Sequence, residues 1–227
     1  MLPDIRDLPL PAAVVFDLDG TLVDTVETRI AAWLETFEGV GLPATREILV
    51  PLIGLDGRRL AREVAALAGT PIDFDRSEAI DKLSGEIYGR RNSAPKPLPG
   101  VGEVVQAIEA RQLKWSIATS SRKDQVATSV NALGLPHEPS IVDASHVEHA
   151  KPEPDLLLRA AEELDLEPGR CWYVGDSAWD MVAAVAAGMI PIGVTAGSVV
   201  DAIVLAGAGA ATVVRTLRDV ADALRTD

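Results

Sequence analysis

One stretch, Val14-Val15-Phe16-Asp17-Leu18-Asp19-Gly20-Thr21, constrains this chain more than any other. Val14 to Phe16 are β-branched and aromatic, the composition of a short buried strand. The strand runs directly into two aspartates, a glycine and a threonine. Strand side chains alternate faces, so Asp17 and Asp19 point the same way wherever the extended backbone persists. Two carboxylates converging at the carboxyl end of a strand repel unless a cation lies between them. Mg²⁺, a hard ion that takes oxygen ligands and retains water, suits such a pair. Gly20 permits a tight turn and close approach of backbone to a ligand. Asp-Gly is also an ordinary turn signal, but a turn gives no reason for Asp17 at the end of an apolar strand.

The first strand is predicted over Ala13 to Asp17, after an extended lead-in with three prolines. Asp24 or Thr25 can cap the helix that follows. Ile30, Trp33, Leu34 and Phe37 are spaced for its apolar face, and Gly39, Gly41 and Pro43 end it. A second helical stretch, Glu47 to Leu67, is interrupted around Pro51 to Gly57. A third runs from Asp75 to Arg91, and Ala94 to Gly100 is a proline-rich linker. Residues 22–96 therefore read as a helical block without a strand, inserted after the first one.

Past Pro99 the rhythm changes. Strands are expected at Leu113 to Ala118, Ser140 to Val142, Cys171 to Val174, Met189 to Val194 and Ala211 to Val214. Helices at Val101 to Arg111, Lys123 to Leu133, Pro154 to Leu164, Ala178 to Ala187, Val199 to Ala206 and Leu217 to Arg225 alternate with them. Such alternation predicts a parallel sheet with helices on both faces and right-handed crossovers.

Composition narrows the class of partner. A net charge of −13 over 227 residues disfavours nucleic acid and anionic membranes. It also requires local positive charge wherever an anion is to bind. The single cysteine, Cys171, permits no internal disulfide and fits a reducing compartment. The first residues lack the basic start and apolar run of a signal peptide. The uncharged run between Asp180 and Asp201 imitates a membrane span, but Gly188, Pro191, Gly193 and Gly197 break it into a helix and a strand. A soluble, cytoplasmic chain is expected, with no nucleic-acid or membrane partner.

In an open parallel sheet, ligands bind beyond the carboxyl ends of the strands. Each apolar strand here ends on residues suited to phosphate or metal. The first ends on Asp17 and Asp19, the next on Thr119-Ser120-Ser121, and a later one on Gly175-Asp176-Ser177 with Asp180 following. Lys151 lies between them, ahead of Pro152-Glu153-Pro154-Asp155. Singly, each has an ordinary reading: Thr119 to Ser121 or Ser177 as helix caps, Lys151 as a solvated surface lysine. Jointly they place several carboxylates, a hydroxyl and an ammonium on one sheet edge.

With these motifs in this order the chain resembles the haloacid dehalogenase superfamily over nearly its whole length. The resemblance implies an α/β fold with a Rossmann-like, doubly wound parallel sheet as core (1–21 and 97–227) and an inserted all-helical cap (22–96). It implies that Asp17 is a nucleophile taking up a phosphoryl group. Asp19 then acts as general acid and afterwards as base, which calls for a raised pKa. Thr119 hydrogen-bonds phosphoryl oxygens and Lys151 neutralises charge. The implied metal set for Mg²⁺ is Asp17, the main-chain carbonyl of Asp19, Asp176 and Asp180. Gly20 and Ser120 are expected near the substrate.

The expected activity is hydrolysis of a small phosphomonoester, of the phosphoglycolate or sugar phosphate class, by a monomer or homodimer. A dehalogenase would not need the metal carboxylates, and no lysine of the helical block is placed for phosphonatase chemistry. A mutase of the β-phosphoglucomutase type would carry a histidine where Arg29 stands and a basic residue where Ile53 stands. An idle binding protein is the alternative outside enzymes. Arg29 or Arg59 is expected to contact a carboxylate or hydroxyl-rich substrate, and the segments near Leu22 to Asp24 and Ala94 to Pro99 to act as hinges. The three histidines lack metal-ligand spacing, and Trp179 has no role beyond packing.

Overall fold

The computed structural model describes residues 2–225, the side chain of Asp124 excepted. The strands are β1 (Ala13–Phe16), β2 (Lys114–Ala118), β3 (Ser140–Val142), β4 (Cys171–Gly175), β5 (Ile190–Val194) and β6 (Thr212–Val214). They form one parallel sheet in the order β3-β2-β1-β4-β5-β6. Strand order reverses at β1, so the crevice at its carboxyl end is the place where such a sheet opens to a ligand.

Four of the five helices between β1 and β2 make up the helical segment: α1 (Val26–Val40), α2 (Arg46–Leu49), α3 (Gly57–Leu67) and α4 (Phe74–Arg91). The remaining helices are α5 (Val101–Ala110), α6 (Lys123–Ala132), α7 (Asp155–Glu163), α8 (Ala178–Ala187), α9 (Ala202–Gly207) and α10 (Leu217–Arg225).

Alternation along β1 builds both faces of the core. Val14 and Phe16 pack with Trp172, Val174 and Ile192 against α5 and α10, through Val104, Ile108, Val220 and Leu224. Ala13 and Val15 face the other way, with Cys171 and Tyr173, against Leu157 and Ala160 of α7 and Ala183 and Ala184 of α8. Burying each large apolar side chain contributes about 1.5–3 kcal/mol, so both faces fix β1 and with it the direction of Asp17.

The helical segment has a cluster of its own, in which Ile30, Trp33 and Phe37 of α1 meet Leu60 and Val64 of α3 and Ile80 of α4. Trp33 and Phe37 stack with centroids 5.3 Å apart. The chain enters and leaves this segment side by side. Val23 bridges Pro97 antiparallel, Asp24 N donates to Lys96 O at 2.9 Å, and Leu98 N donates to Leu22 O at 2.9 Å.

Two local expectations change. The lead-in is not wholly extended: Ile5–Asp7 make one 3₁₀ turn, because the Asp4 carboxylate accepts the Arg6 amide. Glu47 to Leu67 breaks where expected: α2 is a single turn followed by a 3₁₀ turn over Val50–Leu52, as Pro51 cannot donate to a continuing helix, and α3 takes over at Gly57. The helix expected from Val199 begins at Ala202, where Asp201 caps the amides of Ile203 and Val204. Asp180 to Asp201 resolves into α8 and β5, and among the described residues no helix is long and apolar enough to cross a membrane.

Candidate active site

The ends of β1, β2 and β4 bring the sequence motifs to one place. Asp17, Asp176 and Asp180 are buried, and each offers a carboxylate oxygen within 4.8 Å of the others. Lys151, 1% exposed, reaches the same point from the loop before α7. Its Nζ donates to Asp17 Oδ1 at 2.5 Å, Asp180 Oδ1 at 2.7 Å and the Tyr173 hydroxyl at 3.2 Å. Asp180 Oδ2 accepts the Ser177 amide and hydroxyl at 2.9 and 2.6 Å, the capping box that opens α8. Asp180 thus has both oxygens engaged. Among the described residues the Asp176 carboxylate accepts one hydrogen bond, from Thr21 Oγ1 at 3.1 Å. Gly20 (φ +88°) makes room for it, since any β-carbon there would collide with Asp176 Oδ2.

Burial drives the electrostatics. It pushes Asp176 well above the usual carboxylate range, and the charges of Asp180 and Asp17 add to the push. It raises Asp17 to about 7, against the pull of Lys151. Burial works against the Lys151 ammonium, but Asp17 and Asp180 overcome it and hold Lys151 charged. Three buried carboxylates therefore gather at one ammonium, which pairs with two of them. Hard donors with negative charge to spare are what a divalent ion such as Mg²⁺ requires, so the residues present fit that ion.

A stability prediction follows from these shifts. Asp17 and Asp176 bind protons more tightly folded than unfolded, so the folded state loses ground as pH rises from about 4 through about 7. Without divalent metal, the melting temperature should fall over that window. Millimolar MgCl₂ at pH 7.5 should restore it, because the ion binds the folded carboxylates. A calorimetric pH series would read both, and an Mg²⁺-insensitive melt would count against the site.

Asp19 differs from expectation. Burial alone would raise it, but Arg29 and three hydroxyls outweigh burial and hold it at about 2. Oδ1 accepts Thr25 Oγ1 at 2.6 Å and Tyr88 OH at 2.8 Å. Oδ2 accepts Ser121 Oγ at 2.6 Å and Arg29 Nη2 at 2.9 Å. The expected raising by neighbouring carboxylates is overridden because Asp19 sits in this nest of donors. Arg29 is fully committed here: it also donates to Gln125 Oε1 and Ser121 Oγ and lies 3.5 Å over the Tyr88 ring.

Thr119 lines the cavity, and its Oγ1 accepts the Ser121 amide at 3.1 Å. Ser120 also lines it and donates to Gly54 O at 3.3 Å. Arg59 does not reach the cavity. Asp56 caps α3, and from its first turn Arg59 points outward to Glu153, 3.5 Å away. Trp179 gains an account: its indole Nε1 donates to Pro51 O at 2.8 Å, strapping the start of α8 to the helical segment.

Tyr88, Thr25, Gln125 and Tyr173 were not foreseen as site residues. Tyr88 had a signal, since it continues the buried Ile80–Ser84 row of α4, and a buried tyrosine needs a partner for its hydroxyl. Further contacts close the helical segment over the sheet edge: Asp56 N donates to Lys151 O at 2.9 Å, and Arg122 Nε donates to Asp81 Oδ2 at 2.8 Å. The cavity between them is about 70 Å³, well short of the roughly 300–1,000 Å³ of ordinary small-molecule sites.

A doubly wound α/β sheet with a lysine-bridged aspartate cluster at its switch point, covered by inserted helices, defines a class of carboxylate-centred α/β proteins. The chain belongs to the haloacid dehalogenase-like hydrolase family, whose model matches residues 14–194. It is 28% identical to β-phosphoglucomutase of Bacillus subtilis strain 168, over 82% of this chain and 84% of that protein. It is 33% identical to phosphoglycolate phosphatase of Escherichia coli O157:H7, over 81% of each. The crystal structure of a hydrolase from Pseudomonas syringae superposes with a TM-score of 0.87 at 31% identity, over 92% of this chain and 96% of that one.

Proposed function

We propose that this protein is an Mg²⁺-dependent phosphatase that hydrolyses a small phosphomonoester through a phosphorylated Asp17. The observation that carries the reading is the Lys151 ammonium set between Asp17 and Asp180 in the lining of the cavity. Lys151 holds Asp17 Oδ1, and among the described residues no hydrogen bond engages Oδ2, which is the attacking atom. Oδ2 forms a bond to phosphorus as the bond to the leaving oxygen breaks. Thr119 already accepts at Oγ1, so its own proton is free for a phosphoryl oxygen. Bound by Asp17, Asp176 and the Asp19 carbonyl, Mg²⁺ would supply positive charge to the phosphoryl oxygens. Asp180, with both oxygens spent on Lys151, Tyr173 and Ser177, orients the lysine.

Asp19 moves the protons. The leaving oxygen must gain one, and a substrate arriving as its monoanion carries it, since the second phosphate pKa is about 6. Asp19 relays that proton to the leaving oxygen. It then takes a proton from the water that attacks phosphorus, releasing phosphate and restoring Asp17. Residues 22–96 serve as a cap that excludes water when closed, hinged at the paired Val23–Pro97 crossing.

Hydrolysis is favoured over mutase chemistry because Arg29, where the mutase type carries histidine, is spent on Asp19, and Ile53 is apolar. The test is phosphate release from p-nitrophenyl phosphate. Turnover should require Mg²⁺ and stop with chelator; no release from any phosphomonoester of a broad panel would leave the binding-protein reading. Arg29→Ala should lower kcat by roughly 10- to 100-fold with little change in KM, because the side chain positions Asp19. A raised KM at constant kcat would assign Arg29 to substrate instead.

A further inference from the structure

Resting on the phosphatase reading, we infer that Asp81 selects the substrate: its Oδ1 accepts a hydroxyl of a neutral polyol or sugar leaving group, and the site rejects a leaving group that ends in a carboxylate. Asp81, on α4, lines the same cavity as Asp17. Its two oxygens are used unequally. Oδ2 receives Nε and Nη2 of Arg122 at 2.8 and 2.6 Å, which fixes the carboxylate across the gap between α4 and the end of β2. Among the described residues no hydrogen bond reaches Oδ1. It lies over Gly57, which also lines the cavity and where any β-carbon would collide with it. A glycine at the start of α3 thus leaves space for an acceptor anchored on one side and open on the other. Trp33 and Leu60 line the cavity beside it and offer an apolar surface to the carbon skeleton of a polyol.

Charge supports the same choice. Five aspartates and three cations line the cavity. Each cation is already committed: Lys151 to Asp17 and Asp180, Arg29 to Asp19, Arg122 to Asp81 and to Glu78 at 2.9 Å. One divalent ion balances the excess, and the phosphoryl group then brings its own negative charge. A second anionic group on the substrate would meet no uncompensated cation and would lie against Asp81. A hydroxyl donates to the same oxygen without that repulsion. A site built to hydrogen-bond one polar group discriminates strongly against an analogue that cannot make the bond.

Matched pairs test this. Hydroxyethyl phosphate and phosphoglycolate differ only in a terminal hydroxymethyl against a carboxylate, as do glycerol 3-phosphate and 3-phosphoglycerate. For the parent protein with Mg²⁺, kcat/KM should favour the hydroxyl member of each pair by at least about 10-fold. Asp81→Asn keeps the shape and removes the charge. It should shrink the ratio to within about 3-fold of unity, mainly by raising KM for the hydroxyl member and lowering it for the carboxylate member. Glu78→Gln removes the other carboxylate on Arg122 without touching the cavity and should keep the parent's ratio, which separates substrate selection from mere fastening of the helices. A parent that cleaves p-nitrophenyl phosphate yet prefers the carboxylate members overturns the inference, as does an Asp81→Asn variant with the parent's ratio. A parent inactive on p-nitrophenyl phosphate and on every panel ester overturns the phosphatase reading itself.

Discussion

Asp17→Asn should yield a folded protein whose release of phosphate from p-nitrophenyl phosphate is at least about 1,000-fold slower than the parent's. The amide cannot accept a phosphoryl group as a carboxylate does, and removing a covalent nucleophile costs nearly the whole of catalysis. The fold should survive, because Lys151 keeps Asp180 and Tyr173 as partners and the buried cluster loses one of its repelling charges. Circular dichroism and melting temperature measured beside the kinetics separate lost chemistry from lost structure. Parent-like turnover in the folded variant would sink Asp17 as nucleophile.

Lys151→Met should have the largest effect on stability. The side chain is 1% exposed and is the ammonium held between Asp17 and Asp180. Methionine fills similar space but leaves two buried carboxylates with no cation. Breaking a buried pair in this way costs about 3–5 kcal/mol, readable as a lower urea midpoint at pH 7.5 without metal. The loss should shrink toward pH 5, where carboxylates raised by burial take up protons and need no counter-charge. Mg²⁺ should recover part of it while activity stays low. A loss that grows as pH falls would show that Lys151 is not compensating these groups.

Much of this arrangement was legible because it is local. Val14 to Phe16 declare a strand by composition, and Asp17 follows in the next position. Gly175-Asp176-Ser177 and Asp180 combine a strand end with a helix cap. These pieces depend on neighbours a few residues away, and the strand–helix rhythm after Pro99 depends only on periodicity. The surroundings of Asp19 were not legible. Arg29, Tyr88 and Ser121 come from three distant points of the chain and meet only when α1 and α4 close over the end of β2. The expectation of a raised Asp19 rested on adjacent carboxylates, whereas the side chain turns toward donors no pattern announces. Arg59, expected at the substrate, differs for a related reason: the Asp56 cap sets the first turn of α3 so that it faces Glu153.

The antiparallel crossing of Val23 with Pro97 places the departure and return of the helical segment next to each other. Cut and rejoined there, the sheet would need only a short turn to stay continuous, and another set of helices could be spliced in without disturbing β1 or β4. Such a junction would let the helical segment be exchanged while the sheet is inherited unchanged. Grafts made across those two positions are therefore the natural way to redirect this scaffold.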